Sequence, residues 1–214
     1  MATLPARGVV PVIELSDAQR ERLQAAYAEP PRAYHAWSHV GEVARHYEAV
    51  AEGPGWGQPR EVALAVLYHD AVYDPARRDN EARSADFALQ EIARWMPDGG
   101  IDASRVGQLI LWTARHGQFA PDDFNDDPCP DDVRHFLDCD MAILGASPDA
   151  FDAYDRAIAR EYRGHVPGWL FRINRRRFLK GLLARDRIFL SEFFHERFNA
   201  AARANLRRAV TRKQ

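Results

Sequence analysis

A chain of 214 residues, 46% of them hydrophobic, is long enough to bury one sizeable core. Its 29 basic and 31 acidic side chains leave a formal charge of −2, so there is no general pull toward nucleic acid or an anionic membrane. Cys129 and Cys139 form neither a disulfide framework nor a C-x-x-C pair, the start lacks a signal pattern, and no apolar run could cross a bilayer; a cytoplasmic location is expected.

Residues 1–15 carry Pro5, Gly8 and Pro11 and are expected to be irregular. Ser16 with Gln19 reads as a capping box opening a helix to Ala28, which Pro30-Pro31 stops. A second helix is predicted from a Ser38 cap, with Val40, Val43, Tyr47 and Val50 along one face. After a Gly/Pro loop over 52–59, residues 60–72 are apolar nearly all round, so this helix should be central; its chain leads into His69-Asp70. Helices are then expected from Asn80 to Met96, from Asp102 to His116 with Gly117 as the stop, and from Asp131 to Leu144, stopped by Gly145. Three more follow: Ser147-Pro148 to Tyr162, Pro167-Gly168 to Arg185, and Ile188 to near the C-terminus. With no alternating stretch and no repeat, the chain reads as a single all-α domain over 1–214, a bundle of about eight to ten helices. The part spanning 30–145 forms its core, and the helices over 147–211 pack on it.

The stretch Leu67-Tyr68-His69-Asp70-Ala71-Val72-Tyr73 sets two ionisable groups side by side at the end of an apolar run. Burying them requires partners, and either a divalent metal or a packed His–Asp hydrogen bond would serve. Asp140 has Phe136, Leu137, Ile143 and Leu144 at helical spacing, so its carboxylate points inward and must be paired or bound. Asp138 falls on another face, where Arg134 could supply a surface ion pair, and it reads as structural or as a support to the ligands rather than a ligand itself; His135 falls on that same side and should be exposed. His116 points inward with Leu109, Trp112 and Thr113. His35 and His39 are four apart, but Pro31 and the Ser38 cap put His35 before the helix and His39 in its first turn. His46 reads as packing, and His165 and His195 belong to the basic C-terminal region. Arg175, Arg176 and Arg177 could reach a phosphate, though a solvated helix face accounts for them. H-E-x-x-H, paired C-x-x-C, phosphate-loop and G-x-S-x-G patterns are all missing. What remains is a nitrogen and oxygen donor set from separate helices, suited to Mn, Mg, Fe, Co or Zn.

The order His39, His69-Asp70, Asp140 resembles the HD superfamily of metal-dependent phosphohydrolases, and within it a bacterial branch of uncertain substrate. Further resembling segments are Tyr34-His35, Asn80-Glu81 with Ser84-Ala85, Thr113 with His116, Asp138 to Gly145, Glu161-Tyr162 and the Phe178 to Phe189 region. The resemblance implies one or two divalent metals on His39, His69, Asp70 and Asp140. It implies catalytic work for Asp70, Glu81 and His116, and substrate contacts for Tyr34, His35 and Thr113. The expected reaction is hydrolysis of a small phosphorylated substrate, with a nucleotide as the first class to try. Two rival readings stand: a di-iron oxygenase, which His35 and His116 keep open, and a non-catalytic metal-stabilised nucleotide-binding module. Oligomeric state is left open.

Overall fold

The computed structural model describes residues 13–212; the irregular segment expected over 1–15 therefore lies mostly outside the described residues. Among the described residues there are nine α-helices and no strand. They are α1 (Asp17–Tyr27), α2 (Trp37–Glu52), α3 (Pro59–Tyr68), α4 (Asn80–Trp95), α5 (Ala103–Thr113), α6 (Pro130–Met141), α7 (Pro148–Glu161), α8 (Gly168–Leu183) and α9 (Glu192–Thr211). Short 3₁₀ turns cover Pro121–Phe124 and Ala142–Gly145. No helix of the described residues is long and apolar enough to cross a membrane.

The apolar run over 60–72 becomes α3, with Pro59 at its first position, where the missing N–H costs nothing. Every residue from Val62 to Tyr68 is buried. A helix buried on all sides needs neighbours on all sides, and α3 has α2, α4, α5 and α6 around it. The helix ends at Tyr68 with His69 as its C-cap, whose N–H still donates to the Ala65 carbonyl, and not at residue 72 as expected; His69 and Asp70 thus sit at the C-terminal end of this enclosed helix rather than on its flank. The C-terminal helices close the other side: α9 packs on the 3₁₀ turn after α6 and on α8, while α7 meets the same turn.

Several ends follow local chemistry. Ser16, Asp102 and Ser147 each accept a hydrogen bond from the backbone N–H three residues on, as N-caps do. Others differ from the sequence reading. The second helix starts at Trp37 with Ala36 before it, so Ser38 lies inside the first turn and caps nothing. The last helix starts at Glu192, because the Ser191 hydroxyl accepts from Phe194 N. The helix expected to reach His116 ends at Thr113, and His116 lies in the following turn, before Gly117 at φ +76°.

Candidate metal centre

Four side chains from three parts of the chain meet below a cavity. His39 comes from the first turns of α2, His69 and Asp70 from the end of α3, and Asp140 from the last turn of α6. The Nε2 atoms of His39 and His69 face each other at 3.2 Å. Asp140 Oδ1 lies 3.1 Å from His39 Nε2 and 3.7 Å from His69 Nε2. Asp70 Oδ2 lies 3.2 Å from His69 Nε2 and 3.6 Å from His39 Nε2. Octahedral cations with ligands at about 2.1 Å set neighbouring donor atoms about 3 Å apart. His39, His69 and Asp70 offer donor atoms all within 4.8 Å of one another.

The tautomer of His69 can be read from its surroundings. Its Nδ1 lies 2.9 Å from the Val66 carbonyl oxygen, which can only accept, so Nδ1 carries the proton and Nε2 turns a lone pair toward His39. Two imidazole nitrogens in that arrangement need a proton or a cation between them. His39 is held by the Tyr34 ring, whose centroid lies 4.5 Å from its own. Its Nδ1 has no partner among the described residues.

Electrostatics favour a positive charge at this point. Burial opposes a charged His69, yet Asp70 and Asp140 outweigh it and push its pKa up to about 9. Burial alone would raise Asp70, but His69, His35 and His39 hold it well below the usual carboxylate range. Asp140 is depressed in the same way, chiefly by His116 and then by His39 and His69. His116 Nδ1 sits 2.6 Å from Asp140 Oδ2, without hydrogen-bond alignment. Burial opposes its charged form, and Asp140, Asp70 and Glu81 raise its pKa nonetheless.

Above these groups lies a cavity of about 340 Å³. Every residue singled out from the sequence as catalytic or substrate-binding lines it: Tyr34, His35, Asp70, Glu81, Thr113 and His116. Thr113 turns its hydroxyl back to donate to the Ile110 carbonyl at 2.7 Å. His39 and His69 are buried behind Asp70 and Asp140, which line it. The expected exposure of His135 and the expected Arg134 pairing of Asp138 are corrected, while Asp138 has a structural role. Both are buried, and Asp138 accepts from Leu190 N, Ser191 N and the Ser191 hydroxyl, tying α6 to the start of α9. Arg134 instead pairs with Asp131 and donates to the Asn125 side chain. His46 packs between the Phe194 and Phe198 rings.

Three residues that carried no role in the sequence reading organise the cavity. Glu161, at the end of α7, accepts from the backbone N–H groups of Ala33, Tyr34 and His35, from the Tyr73 hydroxyl at 3.0 Å, and pairs with His35 Nδ1 at 2.7 Å. Arg32 donates to the carbonyls of His35, Asp70 and Ala71, stapling the turn before α2 to the loop after α3. Tyr73 stacks on His35, ring centroids 4.3 Å apart. The signal for Glu161 was present in the sequence, since Ala157 and Ile158 share its helical face, as apolar neighbours share that of Asp140. Arg32 and Tyr73 have no comparable local pattern.

Comparison with family models, with curated proteins and with solved structures yields no match to this chain.

Proposed function

We propose that this chain is a metal-dependent phosphohydrolase of the HD type, which cleaves a phosphate ester or anhydride of a small substrate. The observation that carries the reading is the convergence of His39 Nε2, His69 Nε2, Asp70 Oδ2 and Asp140 Oδ1, with both aspartates lining a polar cavity. Two neutral imidazoles and two carboxylates suit a hard or borderline divalent cation such as Mn, Mg, Fe, Co or Zn. Such a cation, when bound, offsets phosphoryl charge and lowers the pKa of a water. The chain's own residues supply the rest. Val66 fixes the tautomer of His69, and Arg32 holds Asp70 in place through its carbonyl. His35 and His116 border the cavity as cationic hydrogen-bond donors for phosphoryl oxygens. Glu81, at the first turn of α4, is the carboxylate across the cavity that can take a proton from an attacking water. Its two free cysteines suit a reducing compartment, and we assign the protein to the cytoplasm.

The test combines metal analysis of the purified protein with a panel of phosphate monoesters, diesters and anhydrides in Mn, Mg, Co or Fe. Turnover of at least one class is expected. Asp70→Ala should lose the metal and at least about a thousandfold in kcat/KM, while its helical circular dichroism stays unchanged. Full metal occupancy in that variant would remove the assignment. The close approach of His116 Nδ1 to Asp140 Oδ2 favours one competing reading, a second metal and hence a di-iron oxygenase. Two irons per chain with oxygen-dependent turnover would establish that reading instead.

A further inference from the structure

A second large concavity lies away from the floor of the metal centre. It is a groove of about 1080 Å³ between α7, α8 and the end of α9. Arg163, Arg172, Arg175, Arg176 and Arg212 line it, against a single acid, Asp155. A chain whose overall charge is −2 therefore brings five cations from three segments to one groove. Arg212 is paired with Asp152 and Arg175 with Asp155, while Arg163, Arg172 and Arg176 form no ion pair among the described residues. The three arginines without an ion pair repel one another, and an anion between them offsets that cost.

A second observation points to a ligand. Arg175 is turned inward, its guanidinium 4.9 Å from the Tyr154 ring and 5.5 Å from the Phe178 ring. Its Nε donates to Asp155 at 2.9 Å, but its Nη2 is buried and has no partner. A buried guanidinium N–H without an acceptor is costly, and an anionic oxygen is the acceptor it fits best. Apolar side chains lie on the same helix, three and four residues from the arginines of α8. Trp169 is 60% exposed and Ile173 is 49% exposed, an unusual degree for such large side chains on a packed helix. The groove also abuts the metal-site cavity, because Tyr162 lines both, and Tyr154 and Phe178, which flank Arg175, line the latter.

We propose that this groove is a second binding site, which takes a ligand carrying two or more phosphoryl groups joined to a planar ring. The phosphoryl oxygens are held by Arg172, Arg175 and Arg176, and the ring lies on Trp169. Arginine forks match phosphoryl oxygens two at a time, and an indole face accepts any flat ring. Only the idea that such a ligand extends toward the metals rests on the phosphohydrolase reading; the site itself does not.

The experiment is calorimetric titration of the purified protein with ADP, adenosine and pyrophosphate, repeated on R172E/R176E and on Asp70→Asn. Both arginines are exposed, so the double variant should fold, which circular dichroism checks. ADP should bind about tenfold more tightly than either fragment. The arginine variant should weaken ADP by about tenfold or more, and Asp70→Asn should leave it within about threefold. The proposal is overturned if wild type shows no ADP binding at millimolar concentration, if pyrophosphate binds as well as ADP, or if the arginine variant binds unchanged. ADP binding lost in Asp70→Asn would also overturn it, by moving the ligand to the metal centre and leaving the hydrolase reading intact. Co-sedimentation with phosphatidylglycerol vesicles, lost in the arginine variant, would give the face to a membrane surface and overturn it too. Absence of metal and of turnover, with ADP binding as expected, would sink the hydrolase reading and spare the groove.

Discussion

Three carboxylates around the cavity are buried in different ways, and the difference separates ligand from scaffold. Glu161 is saturated: three backbone N–H groups, a tyrosine hydroxyl and His35 occupy its two oxygens. Asp70 and Asp140 instead turn their closest charged contacts toward imidazole nitrogens, which can give way to a cation. Glu161 is therefore a positioning residue that holds His35 and the turn before α2. Burial would raise its pKa, but His35 and the N–H groups of Ala33 and Tyr34 bring it down from 4.5 to about 2. A depressed carboxylate stabilises the fold above its unfolded value and loses that contribution as pH falls through the folded value. The side chain is 0% exposed, so the shift corresponds to about 3 kcal/mol. Glu161→Gln should cost about 3 kcal/mol at pH 7, with the gap to wild type closing from pH 4.5 down toward pH 2. Urea midpoints across that range check this, and a gap independent of pH would mean that the carboxylate is not ionised in the fold.

At the scale of elements, local chemistry decided most helix starts and long-range contacts decided the rest. Ser16, Asp102 and Ser147 cap as their sequences suggest, because a cap needs only residues three apart. The start of α2 was misread at Ser38 because the turn before it is organised by Glu161, more than a hundred residues away. Asp140 is legible from apolar neighbours at helical spacing, and the same spacing separates Asp138 from it but names the wrong partner, Arg134. That face is buried where the start of α9 arrives on it with the Ser191 hydroxyl and the N–H groups of Leu190 and Ser191. The arginines of α8 read as a solvated face, and no local pattern distinguishes Arg175, which turns in between Tyr154 and Phe178. Gly145 carries a similar lesson. It reads as a helix stop, but a Cβ there would meet the Phe198 carbonyl oxygen at 2.8 Å and its Cβ at 2.7 Å. The glycine lets α9 close onto the turn that follows Asp140. Gly145→Ala should therefore destabilise by about 1–3 kcal/mol through overpacking. A thermal melt measures it, and a change under about 0.5 kcal/mol would show that α9 can shift at little cost.

For the molecule as a whole, protons and a cation compete for the same place. With no metal bound, Asp70 and Asp140 are balanced by a proton on His69, whose pKa rises from 6.5 to about 9. A raised histidine contributes stability that is complete below its unfolded value and is lost as pH rises through its folded value. The metal-free protein should therefore weaken between pH 6.5 and pH 9, as that proton leaves and two facing lone pairs remain among the carboxylates. A bound cation takes the proton's role, and ligands must be deprotonated for it to bind. Its stabilisation follows mass action, about 2.7 kcal/mol at a hundred times Kd, and Kd itself should tighten as pH rises over the same window. The two effects have the same sign. Melting temperatures with saturating Mn and with a chelator should thus diverge steadily from pH 6.5 to pH 9. The His69→Gln variant, which lacks the titrating ring, should show no such divergence. Parallel curves for the wild type would mean that the proton on His69 and the metal do not share a site.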